Sequence, residues 1–161
     1  MGALTVDRPE PLIKLGNTTL VDHAIQVARA GGAKPIAVNA HYRADQIIAH
    51  LNADPDIQIL HETPDILDSG GAVKNATRHL PDGPMATLNG DAVWTGPNPL
   101  RTLRSAFDPT TMDALLLLIP RRRATGREGG GDFHMDAKGR LTLEKSAGAL
   151  VYTGAQILNA R

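Results

Sequence analysis

The chain has 161 residues, enough for one domain with a sizeable core, and that core is aliphatic because aromatic residues make up only 3%. Its 17 basic and 17 acidic residues leave a formal net charge of zero, which excludes a global field for nucleic acid or a membrane surface, so any phosphate binding has to be local. The absence of cysteine excludes disulfides, thiolate catalysis and cysteine metal sites and fits a cytoplasmic protein, and no apolar run approaches the roughly 20 residues that span a bilayer.

Residues 1–16 read as a loop broken by Pro9 and Pro11. Asn17 or Thr18 can cap a helix to about Ala30, with Leu20, Ala24, Val27 and Ala28 on its apolar face and Gly31-Gly32 stopping it. A short buried strand follows at 35–38, then a helix at 44–52 with Ile47, Ile48 and Leu51 inward, then a strand at 57–60 after Pro55. Further along come a helix at 71–79, a strand at 85–88, a helix at 99–107 and a strongly apolar strand at 114–119. This alternation predicts a Rossmann-like α/β fold with a mostly parallel sheet covered by helices on both faces.

Beyond Pro120 the pattern changes. Residues 121–131 are basic and glycine-rich, a loop. Short antiparallel strands are expected at 133–135, 141–144 and 150–152, joined by turns at Lys138-Gly139 and Ala147-Gly148. Residues 156–161 show no clear closing element.

Five segments carry chemistry. Ala86-Thr87-Leu88 runs into Asn89-Gly90-Asp91, which puts a carboxylate just past the carboxyl end of a strand, where open α/β sheets bind ligands. Such a carboxylate can hold Mg²⁺ together with phosphates. Asn-Gly also suits a hairpin, but no returning strand follows it. Asn39-Ala40-His41-Tyr42 ends another strand, and an Asn amide suits a base or a sugar hydroxyl as well as it suits a turn. Glu62 and the run Leu67-Asp68-Ser69-Gly70-Gly71-Ala72 place glycines at a helix start, where a ligand can approach backbone N–H groups; Asp68 and Ser69 double as capping residues. Arg8 and Lys14 flank Pro9-Glu10-Pro11 and offer cations for phosphate or ordinary surface charge. Gly129-Gly130-Gly131-Asp132-Phe133 reads equally as a substrate flap or a plain loop. The six histidines show no paired metal-ligand spacing, so a zinc site is not expected.

Taken in this order, from Leu4 to Leu158, these segments resemble the sugar-1-phosphate nucleotidyltransferases, in particular the N-acetylmuramate-1-phosphate uridylyltransferase branch near the mannose-1-phosphate guanylyltransferases. Leu67 to Ala72 is similar to the family's base-contacting Leu-Glu-Thr-Gly-Gly-Gly segment, and Tyr152-Thr153-Gly154 to its Phe-Ser-Gly or Phe-Thr-Gly near the sugar. The resemblance implies one nucleotidyltransferase domain over 1–161, incomplete at both ends. The family's first strand and most of its glycine-rich loop would precede Met1, and its second metal-binding aspartate would follow Arg161.

It further implies catalytic Asp91 and Lys14, with Asp91 the Mg²⁺ ligand. Nucleotide-binding residues would be Asn39, Glu62, Asp68, Gly70 and Gly71. Substrate-binding residues would be Asn89, Gly131, Asp132 and Thr153. Glu10 stands where the family has a lysine, and Lys14 is the candidate cation in its stead. The implied reaction joins a nucleoside triphosphate and a sugar 1-phosphate into a nucleotide-sugar, as in cell-wall precursor synthesis, with Mg²⁺ as cofactor and neither nucleic acid nor membrane as partner. The alternative is an impaired relative, or a piece of a longer enzyme, that only binds a nucleotide or sugar phosphate. The base, the sugar and the oligomeric state are left open.

Overall fold

The computed structural model describes residues 2–125, 128–143, 146 and 148–160. Strand β1 (Lys14–Leu15) and strand β2 (Thr18–Thr19) form a small hairpin about Gly16, whose φ of 64° belongs to the left-handed region that glycine tolerates. Helix α1 (Leu20–Ala30) follows at once, and its cap is Thr19 rather than Asn17 or Thr18: the Thr19 hydroxyl accepts from the Asp22 N–H. The hairpin draws Thr18 and Thr19 into a strand, which moves the helix start past both expected positions.

Strand β3 (Ile36–Ala40), helix α2 (Ala44–Leu51) and strand β4 (Ile57–His61) form one unit in which β3 and β4 run parallel, Ile36 opposite Ile57 through Ala40 opposite His61. Val21 and Ile25 of α1 and Ala44, Ile47 and Leu51 of α2 bury themselves against Ile36, Val38, Ile57 and Ile59. Truncating Ile47 to Ala would cost about 2–5 kcal/mol in transfer and cavity energy. Ile48, expected inward, is exposed, because it lies one position round the helix from the Ala44–Ile47–Leu51 stripe.

Helix α3 (Ser69–Ala76) precedes strand β5 (Gly83–Leu88), helix α4 (Pro99–Ala106) and strand β6 (Ala114–Pro120). Strands β7 (Phe133–Met135) and β8 (Leu141–Leu143) form the expected hairpin; Glu144 and Ala147, also assigned from sequence, lie outside the described residues. Strand β9 (Leu150–Ala160) extends far beyond the three residues expected of it. It runs antiparallel to β5 on one side and to β6 on the other, and it meets β7 at Leu150.

In place of one mostly parallel sheet, the strands form a parallel pair, β3–β4, and a separate five-stranded sheet of β5 to β9 whose pairings are all antiparallel. Alternation of strand and helix holds up to β6, but β9 inserts between β5 and β6, so each has an antiparallel neighbour. Gly154 hid this strand from a reading of periodicity: it takes a φ of 82° inside β9, beside a shift of register against Leu116 and Leu118.

A second core joins Leu100 and Leu103 of α4 to Ala155 and Ile157 of β9 and Ala28 of α1. Helix α4 also binds the end of α1. Asn98 Nδ2 donates to the Val27 carbonyl (2.8 Å), Arg101 Nε to Ala30 (2.7 Å) and Arg104 Nη1 to Gly31 (3.0 Å). The Ala30 carbonyl is one that the helix end leaves open, whereas Val27 also accepts from the Gly31 N–H (2.9 Å), and the two arginines suit the helix's negative pole. Helix α1 thus belongs to both cores. Between the cores, β3 and β5 contribute consecutive residues to the walls of one cleft of about 930 Å³.

Candidate active site

The mouth of this cleft is built from strand ends and a helix start. Asn39 of β3, Ser69 at the start of α3, and Asn89, Gly90 and Asp91 just after β5 all line it, with Glu10 and Pro11 from the N-terminal segment and Tyr152 and Gln156 from β9. The segment before β1 reaches this end through side chains that follow β3. Tyr42 donates its hydroxyl to the Thr5 carbonyl (3.3 Å), Arg43 Nη2 to Val6 (2.8 Å) and Gln46 Nε2 to Asp7 (3.1 Å).

Asp91 is exposed, and among the described residues no donor engages its carboxylate. The loop that carries it is anchored just before it. The Asn89 N–H donates to the Gly154 carbonyl (2.9 Å), and the Asn89 side chain packs so closely on Gly154 that a Cβ there would lie 2.6 Å from Asn89 Cγ. A free carboxylate on an anchored loop suits Mg²⁺, which takes one or two carboxylates and fills its remaining positions with phosphate oxygens and water. Among the described residues there is no cluster of three or more His, Asp or Glu side chains for an all-protein metal site.

Glu62 is the opposite case. It is only 6% exposed, and both carboxylate oxygens are engaged by the protein. Asn39 Nδ2 donates to Oε1 (2.9 Å), and the Leu67 N–H donates to Oε2 (2.9 Å). The Glu62 carbonyl also accepts from His41 Nδ1 (2.8 Å), so the proton of that contact is on Nδ1. Asp68 caps α3, its Oδ1 accepting from the Gly71 N–H (2.8 Å). Gly70 is exposed, with space above it, whereas a Cβ on Gly71 would lie 3.2 Å from Leu67 Cβ. The helix start is therefore open at Ser69 and Gly70 and closed at Gly71.

Three residues assigned to the sugar side are engaged elsewhere. Gly131 is buried where β7 meets β9, so tightly that a Cβ would lie 2.1 Å from the Ala149 carbonyl oxygen. The Asp132 N–H donates to the Leu150 carbonyl (2.7 Å), and its Oδ2 accepts from the Tyr152 N–H (3.0 Å). The Thr153 hydroxyl donates to the Leu117 carbonyl (2.8 Å). These contacts weld β9 to its neighbours, and none of the three lines the cleft.

Lys14 does not line it either; it is exposed on the β1–β2 hairpin, beyond the short 3₁₀ turn Glu10–Leu12 that carries the chain outward. Arg8 is paired with Asp7 (3.1 Å). The N-terminal side chain that does reach the cleft is Glu10, whose Oε1 is buried and has no partner among the described residues.

Tyr152 and Gln156 were missed as cleft residues. The sequence signal for Tyr152 is the segment Tyr152-Thr153-Gly154 itself. Burial pushes the Tyr152 phenol above its ordinary pKa, a hydrogen bond with Thr87 opposing, and its ring packs edge-on against Phe133 with centroids 6.4 Å apart.

Residues 1–128 match the MobA-like NTP transferase domain. The chain belongs to that family. It is 34% identical over 168 aligned positions to the N-acetylmuramate alpha-1-phosphate uridylyltransferase of Caulobacter vibrioides, covering 98% of this chain and 69% of that protein. Its fold matches the crystal structure of HddC from Yersinia pseudotuberculosis complexed with GMP-PN, with a TM-score of 0.72 at 18% identity over 99% of this chain and 71% of that one. It also matches a candidate glucose-1-phosphate thymidylyltransferase from Bacillus anthracis, with a TM-score of 0.78 at 14% identity over 99% of this chain and 66% of that one. At these identities the structural matches speak for the fold. Among the described residues, no helix is long and apolar enough to cross a membrane.

Proposed function

We propose that the protein transfers a nucleotidyl group to a sugar 1-phosphate, with UTP and N-acetylmuramate 1-phosphate the first pair to test. The observation that carries this reading is Asp91: an exposed, unpartnered carboxylate at the carboxyl end of a strand, on an anchored loop, in the same cleft as Asn39 and the open start of α3. The likeness to a uridylyltransferase along nearly the whole chain supports the choice of substrates.

In this reaction an oxygen of the sugar 1-phosphate attacks the α-phosphorus of the triphosphate, the α–β bridge bond breaks, and pyrophosphate leaves. Asn39 and the backbone at Ser69 and Gly70 would bind the nucleotide, the helix start favouring negative charge. Asn89 would hold its loop against Gly154 and so fix Asp91. Asp91 would be the residue to hold Mg²⁺, which when bound would offset charge on the phosphate oxygens. The protein's part is position and electrostatics, with no covalent intermediate.

Pyrophosphate release from UTP, GTP, CTP and dTTP, each against a panel of sugar 1-phosphates with Mg²⁺, tests the reading. Turnover with UTP and N-acetylmuramate 1-phosphate is expected. Glu10 favours a second reading, since its buried, unpartnered oxygen brings negative charge to a cleft meant for phosphates. Saturable nucleotide binding with no pyrophosphate from any pair would select that reading and overturn the first.

A further inference from the structure

Both carboxylate oxygens of Glu62 are engaged by the protein. Asn39 Nδ2 occupies Oε1 and the Leu67 N–H occupies Oε2, each at 2.9 Å, and the residue is buried. Its two partners lie on different elements: Asn39 in β3, and Leu67 in the turn whose next residue caps α3. The carboxylate therefore ties a strand end to a helix start, and both line or border the cleft.

The tie also orients Asn39. Of the two ends of the Asn39 amide only the NH2 can donate to a carboxylate, so the nitrogen points at Glu62 and Oδ1 is left as an acceptor with no protein partner among the described residues. An acceptor selects a ligand N–H or O–H and rejects a ligand lone pair at that place.

Resting on the nucleotide-binding reading above, we propose that Glu62 is a positioning residue that sets base selectivity. It holds the Asn39 carbonyl and the Leu67–Gly71 turn in one fixed relation and touches no substrate itself. A buried carboxylate with both oxygens hydrogen-bonded has few other arrangements available, so the relation is rigid.

The test is Glu62→Gln. Glutamine has one acceptor oxygen: kept on the Leu67 N–H, it turns an NH2 towards Asn39, which can answer only by flipping its amide and withdrawing its carbonyl from the ligand. The expected result is a rise of about tenfold in KM for the nucleotide, the scale of one lost hydrogen bond, with kcat within about twofold of wild type. The ratio of kcat/KM between UTP and the other nucleotides should narrow. Amide hydrogen exchange at Leu67 or at the Asn39 side chain should quicken.

Unchanged KM, selectivity and exchange would overturn the proposal. So would a fall in kcat at constant KM, which would place Glu62 in the chemical step. If Glu62→Gln does not fold, the wild-type protein titrated with UTP and followed by NMR decides: the Asn39 side-chain amide and the Leu67 N–H should shift together, and binding that moves neither overturns the idea. A wild-type protein that binds no nucleotide would refute the proposed function instead. The exchange measurement would then still judge the Glu62 tie.

Discussion

Glu62 and Asp91 stand at corresponding places, each just past the end of a strand, β4 for Glu62 and β5 for Asp91, and the fold treats them in opposite ways. After Glu62 the chain turns back, so that the Leu67 N–H meets one oxygen while Asn39 meets the other. After Asp91 the chain runs on to Gly96, and among the described residues no donor returns to the carboxylate. A buried carboxylate survives only when hydrogen-bonded, so Glu62 acts through its neighbours. An exposed, free carboxylate stays available to a cation. Residue type does not separate these roles; the path of the next few residues does.

The largest effect that would break this comparison is at Asp91. Asp91→Asn keeps the shape and removes the charge, and a loss of about 10²–10³ in kcat is expected, the size seen when one transition-state electrostatic contact is removed. Because no described residue holds the carboxylate, the thermal midpoint should stay close to wild type. A variant of near wild-type pyrophosphate release would take Asp91 out of the metal role.

The loop that presents Asp91 is the next point to test. Gly154→Ala places a Cβ 2.6 Å from Asn89 Cγ at a φ of 82°, whereas Gly139→Ala meets a similar φ of 78° with nothing within 4 Å. Backbone strain in the left-handed region costs about 1–3 kcal/mol at either site. The urea midpoint should therefore fall for both variants and fall further at Gly154. Only Gly154→Ala should also reduce turnover, by moving Asn89. Equal behaviour of the two would mean that the Asn89 contact does not hold the loop.

Glu10 offers a milder change of the opposite sign. Replacing its unpartnered cleft carboxylate by a cation, Glu10→Lys, should lower the nucleoside triphosphate KM by about three- to tenfold, on the scale of a solvent-screened charge pair. The gain should shrink as salt rises. An unchanged KM at low salt would show that Glu10 lies away from the phosphates.

The contrast between Glu62 and Asp91 also marks what the sequence could show. Apart from the β1–β2 hairpin, which reads as a loop, the strand and helix order was legible up to Pro120, because most elements carry their own period and their own cap or breaker. The place of Asp91 just past a strand was legible for the same reason: an apolar run followed by Asn-Gly-Asp needs no tertiary knowledge. What failed depended on contacts distant in the chain. Glu62 and Asn39 are 23 residues apart, and no local pattern tells that one will saturate the other. Gly131 looked like a flexible flap because close approach to the Ala149 carbonyl exists only once β7 and β9 meet. Strand β9 was cut short because a glycine at positive φ reads as a turn when its neighbouring strands are unseen. Lys14 was favoured for its charge, but a two-residue hairpin carries it away from the cleft while Glu10 stays.

Asp22 gives the smallest effect and the baseline for both carboxylates, since it is paired yet part-exposed and far from any catalytic role assigned above. Burial alone would raise its pKa. The Thr19 hydroxyl, at 2.5 Å, and the His50 ring nitrogen, 3.0 Å from both carboxylate oxygens, outweigh that and hold it below the usual carboxylate value. A folded-state pKa below the unfolded one, near 3.9, stabilises the protein above that pH, and the stabilisation is lost as pH falls through it toward the folded value. The thermal midpoint of wild type should exceed that of Asp22→Asn by a small margin at pH 5–6. The two curves should converge once the pH has fallen below the folded-state pKa, where both states are protonated. High salt should reduce the margin without removing it, because the Thr19 hydrogen bond carries no net charge of its own on the donor side. A margin that stays constant down to pH 2 would mean that Asp22 supports α1 as a neutral cap, and that its charge, unlike that of Asp91, has no use in this fold.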